Sequence, residues 1–386
     1  MSRPLKILIL GRDPDMFASP GGAPNDTRER HIAYVRELQR RRPGSEVRII
    51  VHTWRPGGGT FDAPIEAMNI YGTYSSSRIQ CPIDMARLVL RFRKTHWIPD
   101  LISCQTGYEE GLIALATANS RSRIEIQMHS DYYGSAFARR SVLRKVQKAV
   151  LRSTVRRSDH VRAVSRGIKE SIARCGDISP ERISVAPVPI SFVPAFPPSL
   201  RNQPTVLYVG RLSPEKDLEL WFAVAGLIRK RVPNAQFVVA GDGPERQKLA
   251  AMASDFDGSL EMLGAVAYSD LPTVYARANV LLLTSAYEGM GRVVVEAMLA
   301  GVPVVSTPTL GPSELIDDGS TGRIVNSREP AALAEAVIAL LEDPALARQL
   351  AEGGRDWAKK AYRFETIAAR LVDSWERAAE IPRRMA

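Results

Sequence analysis

Tyr287-Glu288-Gly289-Met290-Gly291-Arg292-Val293-Val294-Val295-Glu296-Ala297-Met298 sets two glutamates eight positions apart. The first lies in a glycine-bracketed turn and the second lies two turns into an apolar helix. Upstream, Val280-Leu281-Leu282-Leu283-Thr284-Ser285 has the unbroken apolar run of a strand buried on both faces. Downstream, Gly301-Val302-Pro303-Val304-Val305-Ser306 stops the helix and begins another buried strand. The segment therefore reads strand, glycine turn, helix, strand. In such a parallel sheet ligands bind outside the carboxyl ends of the strands, where Glu288 falls. Turn amides and a helix N-terminus favour an anion, and carboxylates accept hydrogen bonds from hydroxyls. An anionic, hydroxyl-rich ligand such as a nucleotide sugar fits both.

The same alternation extends outward. Thr205–Val209, Gln236–Ala240 and Leu260–Leu263 are further strands separated by helices. Before them, residues 186–204 carry six prolines and almost no periodicity, which is linker composition. The first half repeats the pattern with strands at Leu5–Leu10, Val47–Val51, Leu101–Cys104, Ile124–Met128 and Val161–Ser165. There Ser165 is placed to cap the following helix. A length of 386 residues with 45% apolar content suits two such α/β domains. The expected division is residues 1–195, residues 196–365 and a C-terminal helix over 366–386. That helix carries Ile367, Leu371 and Trp375 on one face and packs either on the second domain or back on the first.

Charge is uneven. Residues 1–200 hold 31 Lys and Arg against 18 Asp and Glu, a balance of +13, while the remainder sits at −3. A basic half suits a polyanion, an acidic membrane surface or a phosphorylated acceptor. Arg140, Arg144, Lys148, Arg152 and Arg156 recur every fourth residue and form a cationic stripe. It reads either as a face for anionic lipid headgroups or as a solvated surface. Nucleic acid is disfavoured, because the basic half lacks interleaved aromatics. Cys81, Cys104 and Cys175 are scattered without metal-ligand spacing, and no apolar run reaches the ~20 residues of a bilayer span. The expected location is the cytoplasm or the inner face of the cell membrane. Asp13-Pro14-Asp15 and Asp255-Phe256-Asp257 spell acidic pairs, but a loop of the first domain and the end of a surface helix are poor metal sites. No metal is expected.

Gly210-Arg211-Leu212-Ser213-Pro214-Glu215-Lys216 follows the first strand of the second half. Two cations at a strand's carboxyl end, beside a helix N-terminus, make a diphosphate clamp. With this segment in view the chain resembles the retaining glycosyltransferases of family 4. The matching elements are Gly21-Gly22, His129 after a strand, Ala163-Val164-Ser165, Gly210-Arg211-Leu212 with Lys216, Ala240-Gly241-Asp242-Gly243-Pro244-Glu245, Leu263-Gly264, the Glu288–Glu296 motif and Ala300-Gly301-Val302-Pro303-Val304-Val305. The resemblance implies the α/β GT-B fold of two facing Rossmann-like domains with doubly wound parallel sheets. It implies that Arg211 and Lys216 hold the donor diphosphate and that Glu296 takes the ribose hydroxyls. Glu288, with the amides of Met290 and Gly291, would lie at the donor sugar. Gly22 would approach the phosphates, His129 would face the sugar, and Leu263 and Gly264 would frame the base. Three stretches depart from the family pattern: Val188-Pro189-Ile190-Ser191, Met290, and the loop Thr309–Glu314.

The expected activity is metal-independent transfer, with retention, of a hexosyl or N-acetylhexosaminyl group. The donor would be a UDP- or GDP-sugar, and the acceptor a polyprenyl-linked or polysaccharide glycan at an anionic membrane surface. The alternatives are a sugar-nucleotide epimerase of the same fold and a catalytically silent sugar-nucleotide-binding protein.

Overall fold

The computed structural model describes residues 3–12, 26–52, 61–65, 68–73, 75–77, 79–134, 142–192, 194 and 203–382. Gly22, the acidic pair at Asp13 and Asp15, and Arg140 lie outside the described residues. Two compact units emerge. One is Met1–Pro189 together with Phe364–Ala386, and the other is Ile190–Arg363.

The first unit is built on β1 (Lys6–Gly11), β2 (Glu46–Val51), β3 (Phe61–Ile65), β4 (Met68–Gly72), β5 (Leu101–Cys104), β6 (Arg123–Met128), β7 (His160–Ala163) and β8 (Ile183–Val185). Their order is β3-β4-β2-β1-β5-β6-β7-β8, parallel throughout except for the antiparallel β3–β4 edge. Ile9 lies opposite Ile49 on one side and Ser103 on the other. Apolar side chains on both faces of β1 explain its unbroken Ile-Leu-Ile-Leu run. The helix Arg166–Arg174 begins at Ser165, whose Oγ accepts the Ile168 amide at 3.3 Å.

The C-terminal helix Phe364–Glu380 belongs to this first unit. Its apolar face carries Leu371, Val372 and Trp375 into the core that Leu5, Ile7, Ile9 and Tyr34 share. Ser374 Oγ donates to Glu125 Oε1 at 2.6 Å. Burial works to raise the Glu125 pKa, but hydrogen bonds from His160, Ser103 and Ser374 outweigh it and hold the carboxyl below its usual range. Arg41 and Arg42, at the end of the helix Asp26–Arg41, pair with Asp373, Glu376 and Glu380 on the same C-terminal helix.

The second unit holds β9 (Thr205–Val209), β10 (Gln236–Ala240), β11 (Leu260–Gly264), β12 (Val280–Leu283), β13 (Val304–Ser306) and β14 (Arg323–Ile324). All are parallel, in the order β11-β10-β9-β12-β13-β14. The order reverses between β9 and β12, and doubly wound sheets bind ligands at that reversal. The loops above it interlock. Gly241 has φ +146°, and a Cβ there would stand 1.8 Å from the Gly210 carbonyl oxygen. Leu212 donates its amide to Asp242 O at 2.9 Å, and Glu245 returns one to Leu212 O at 3.0 Å. Gly241→Ala should therefore destabilise this unit by about 1–3 kcal/mol. It should also displace the Gly210–Lys216 loop, read as a lower unfolding midpoint with weakened nucleotide binding.

Candidate active site

At the sheet reversal of the second unit, β9 leads into Gly210–Lys216 and β12 leads into Thr284–Gly291. The two loops are tied by main-chain geometry. The Ala286 amide donates to Glu215 O at 2.8 Å, and Thr284 Oγ1 donates to the carbonyls of Lys216 (3.2 Å) and Asp217 (2.9 Å). Asp217 takes a left-handed conformation, φ 48°, and its side chain caps the helix Leu218–Arg231. These ties bring the Lys216 ammonium into an ion pair with the Glu288 carboxylate across 72 residues of sequence. Arg211 is exposed and has no carboxylate partner among the described residues. Its carbonyl accepts the hydroxyl of buried Tyr208 at 2.9 Å. Burial, then the carboxylates of Glu288, Glu215 and Glu245, raises the pKa of that phenol and keeps it a neutral donor.

Gly291 caps the helix Arg292–Leu299 in the left-handed region, φ 77°. The close approach of Gly311, where a Cβ would meet the Met290 carbonyl carbon at 2.4 Å, packs the next helix against this turn. Gly311 N also donates to Glu288 O at 3.0 Å. Glu296, one to two turns further along, is buried. It accepts the Tyr275 hydroxyl at 3.0 Å and lies 3.5 Å from the Arg292 guanidinium. A carboxylate has about four acceptor positions, so capacity remains for a ligand hydroxyl. Arg211, Lys216, Glu288, Met290, Gly291 and Glu296 thus share one sheet edge. Leu263 and Gly264 end β11, two strands away, and Gly264 O accepts the Gly241 amide at 2.8 Å.

The sequence reading missed Arg292, Tyr275 and Arg328. Arg292 stands four residues before Glu296 on one helix face, a spacing visible in the sequence. Tyr275 and Arg328 arrive from distant segments. Arg328 pairs with Asp217 and donates to the carbonyls of Ser285 (3.0 Å) and Thr284 (2.9 Å), bracing both loops.

His129 belongs to the first unit. It follows β6 and lines a cavity at the carboxyl ends of β1, β5, β6 and β7. Its Nε2 is 3.2 Å from Gln127 Oε1. Burial, then the cationic Arg162 and Arg30, pushes its pKa down to about 3, so the imidazole is neutral at physiological pH.

The basic stripe is largely occupied within the unit. Arg152 and Arg156 both grip buried Asp177, and Lys148 donates to Tyr133 O at 2.5 Å. The helix Val142–Arg157 instead turns Val142, Leu143 and Val146 to solvent. Its inner face is Leu151, Thr154 and Val155. Asp257 is 92% exposed and lies 3.8 Å from Arg229. No helix among the described residues is long and apolar enough to cross a membrane.

Comparison with known proteins agrees with this architecture. Residues 194–357 match the family model described as glycosyl transferases group 1, and residues 29–193 match that of glycosyltransferase family 4. The chain is 32% identical over 175 residues to an alpha-D-kanosaminyltransferase of Streptomyces kanamyceticus, covering 45% of each protein. It is 33% identical over 183 residues to a GDP-mannose-dependent α-(1-6)-phosphatidylinositol monomannoside mannosyltransferase of Mycobacterium tuberculosis. That match covers 45% of this chain and 48% of the relative. The chain thus spans about half the length of these curated relatives in the match. Among solved structures, a sucrose-phosphate synthase from Thermosynechococcus elongatus superposes with a TM-score of 0.78 at 21% identity, over 97% of this chain and 98% of that one. HepE of Anabaena, in complex with UDP and glucose, gives 0.69 at 19% identity, over 97% and 100%. The two matches adjoin, one to each half of the chain, and together run from residue 29 to residue 357 of a chain with the GT-B fold.

Proposed function

We propose that the protein is a retaining glycosyltransferase that moves a hexosyl or N-acetylhexosaminyl group from a UDP- or GDP-sugar to a membrane-surface glycan acceptor. The observation that carries this reading is the Arg211–Lys216–Glu288 constellation at the reversal of the second sheet. Breaking the sugar–diphosphate bond develops negative charge on the leaving oxygen and positive charge at the anomeric carbon. Arg211, Lys216 and the amides of the Met290-Gly291 turn supply stabilisation already in place, without requiring a metal. Glu296 reads the ribose, and Glu288 holds Lys216 and the sugar. His129, kept neutral, exchanges hydrogen bonds with a sugar hydroxyl without adding charge. Leu263 and Gly264 frame the base. On a front-face route the departing diphosphate takes the acceptor's proton as the new carbon–oxygen bond forms, so no side-chain base is invoked.

The test is incubation with UDP-glucose, UDP-N-acetylglucosamine or GDP-mannose and a total bacterial lipid extract, reading nucleoside diphosphate release. Release that depends on the extract supports transfer. Donor converted to another nucleotide sugar without release, as an epimerase would give, overturns it.

A membrane-facing first unit fits a second observation. Among the described residues, the exposed large apolar side chains are Ile79, Ile83, Leu90, Leu112, Val142, Leu143 and Val146. All lie on or at the start of three helices that pack side by side: Gln80–Lys94, Glu109–Thr117 and Val142–Arg157. Exposed Arg87, Arg91, Lys94, Lys145 and Arg157 flank them. Apolar side chains ringed by cations suit an anionic bilayer. Flotation with phosphatidylglycerol vesicles should fall with rising salt and with Leu143→Asp. Absence of salt-sensitive binding would sink the membrane assignment.

A further inference from the structure

The cavity beside His129 has a volume of about 310 Å3. Among the described residues its lining contains Arg12, Arg30, Arg162, His31 and His129, and no Asp or Glu. Two of the arginines are already compensated. Arg12 pairs with Glu109 and Glu110, and Arg30 lies 3.2 Å from Asp26. Arg162 is different. It is 2% exposed, and it donates to Ala186 O (2.8 Å), Pro187 O (2.9 Å) and Gln127 Oε1 (2.6 Å), all neutral acceptors. These bonds take three of its five N–H donors, and Tyr34 is a further hydrogen-bond partner. Burial lowers the Arg162 pKa, and the buried carboxylate of Glu125 acts on that charge without offsetting burial, so the cation is only partly compensated.

A second observation comes from another element. Trp375, on the C-terminal helix, is fully buried, lines the same cavity, and has an indole Nε1 without a partner among the described residues. A buried donor left without an acceptor is destabilising. One occupant answers both deficits, since an anion supplies the missing charge and an acceptor for the indole N–H. A neutral sugar would answer only the second. The volume is at the small end of the range of ~300–1,000 Å3 for ligand pockets, enough for one anionic group and its ring rather than an oligosaccharide.

We propose that this cavity is the subsite for an anionic group, phosphate or carboxylate, borne by the acceptor. The word acceptor rests on the transferase reading above; the anion site itself does not. Arg162 and the Trp375 indole hold the anion from below, and Arg30 closes on it from the helix Asp26–Arg41.

Five histidines make the site observable by side-chain NMR of the full chain labelled with nitrogen-15 histidine. Inorganic phosphate is titrated at constant ionic strength into the double variant Arg211→Ala/Lys216→Ala, in which the diphosphate clamp of the second unit is removed. The His129 and His31 imidazole signals should shift saturably, while that of exposed His96 stays fixed. Arg30→Gln and Trp375→Phe, introduced separately, should each weaken the apparent affinity about tenfold. Arg162 itself is left intact, because it ties down the chain at Ala186 and Pro187. Silent His129 signals, or equal shifts with glucose at the same concentration, overturn the proposal. So does a response present in the parent chain but lost in the double variant, because the clamp would then be the phosphate site. A chain that shows the response yet binds no nucleotide keeps the anion site and loses the transferase reading; nucleotide binding without the response does the reverse.

Discussion

Lys216→Ala should lower turnover about a hundred- to a thousandfold, the loss usual when one preorganised donor to a developing negative charge is removed. The side chain is half-buried and already paired with Glu288, so its ammonium is held in place before the leaving group forms. The fold should survive, because Lys216 shapes the loop through its carbonyl, which accepts from Thr284 Oγ1 at 3.2 Å, and that group remains in alanine. Glu288→Gln removes the carboxylate that holds Lys216, and turnover should fall by a similar factor. Steady-state kinetics with an unchanged circular dichroism spectrum would bear this out. Near-native turnover in either variant would defeat the site assignment.

Trp375→Ala should have the largest effect on stability, about 3–5 kcal/mol. The indole is fully buried in the core of the first unit, edge-on to Tyr34 with ring centroids 5.8 Å apart. Among the described residues, the sheet and the helix Asp26–Arg41 fix the surroundings of the indole, so alanine leaves a cavity. The loss should fall on the first unit's unfolding transition and leave that of the second in place. Denaturant unfolding, followed by unit-specific probes, distinguishes the two. A single unchanged transition would show that the C-terminal helix contributes little to the first unit.

Among the described strands, all but β3, β4, β8 and β14 were legible because each is a short apolar run with a breaker at its end. Leu5–Leu10 and Thr205–Val209 could be nothing else once the proline-rich stretch had separated them. The β3–β4 edge was not legible. Phe61–Ile65 contains Pro64, and at an exposed edge a strand needs no ladder partner on its far side, so neither propensity nor alternation marks it. The C-terminal helix shows the limit of periodicity in another way. Ile367, Leu371 and Trp375 announce a buried face, but an amphipathic pattern does not say which core it covers. That depended on Ser374 reaching Glu125, and on Arg41 and Arg42 reaching Asp373, Glu376 and Glu380.

The candidate site divides along the same line. Glu288, Met290, Gly291 and Glu296 fall within one βα turn, and Arg211 with Lys216 within another, so local sequence carries them. Arg162, Trp375, Tyr275 and Arg328 are assembled by tertiary contacts between segments far apart in the chain, and nothing local distinguishes them from core or surface residues. The internal partner of the basic stripe was illegible for a related reason. The stripe's spacing was correctly helical, yet Asp177, which takes up Arg152 and Arg156, is more than twenty residues away.

The central claim is that Arg211 and Lys216 clamp the diphosphate of a nucleotide sugar. Thermal-shift measurement of the intact chain against UDP, GDP and the corresponding monophosphates tests it most directly, because a ligand that binds only the folded state raises the midpoint by mass action. The account predicts a concentration-dependent rise with at least one diphosphate, a smaller rise with its monophosphate, and loss of the difference in Lys216→Ala. Equal responses to mono- and diphosphate, or no response to either diphosphate, would contradict it.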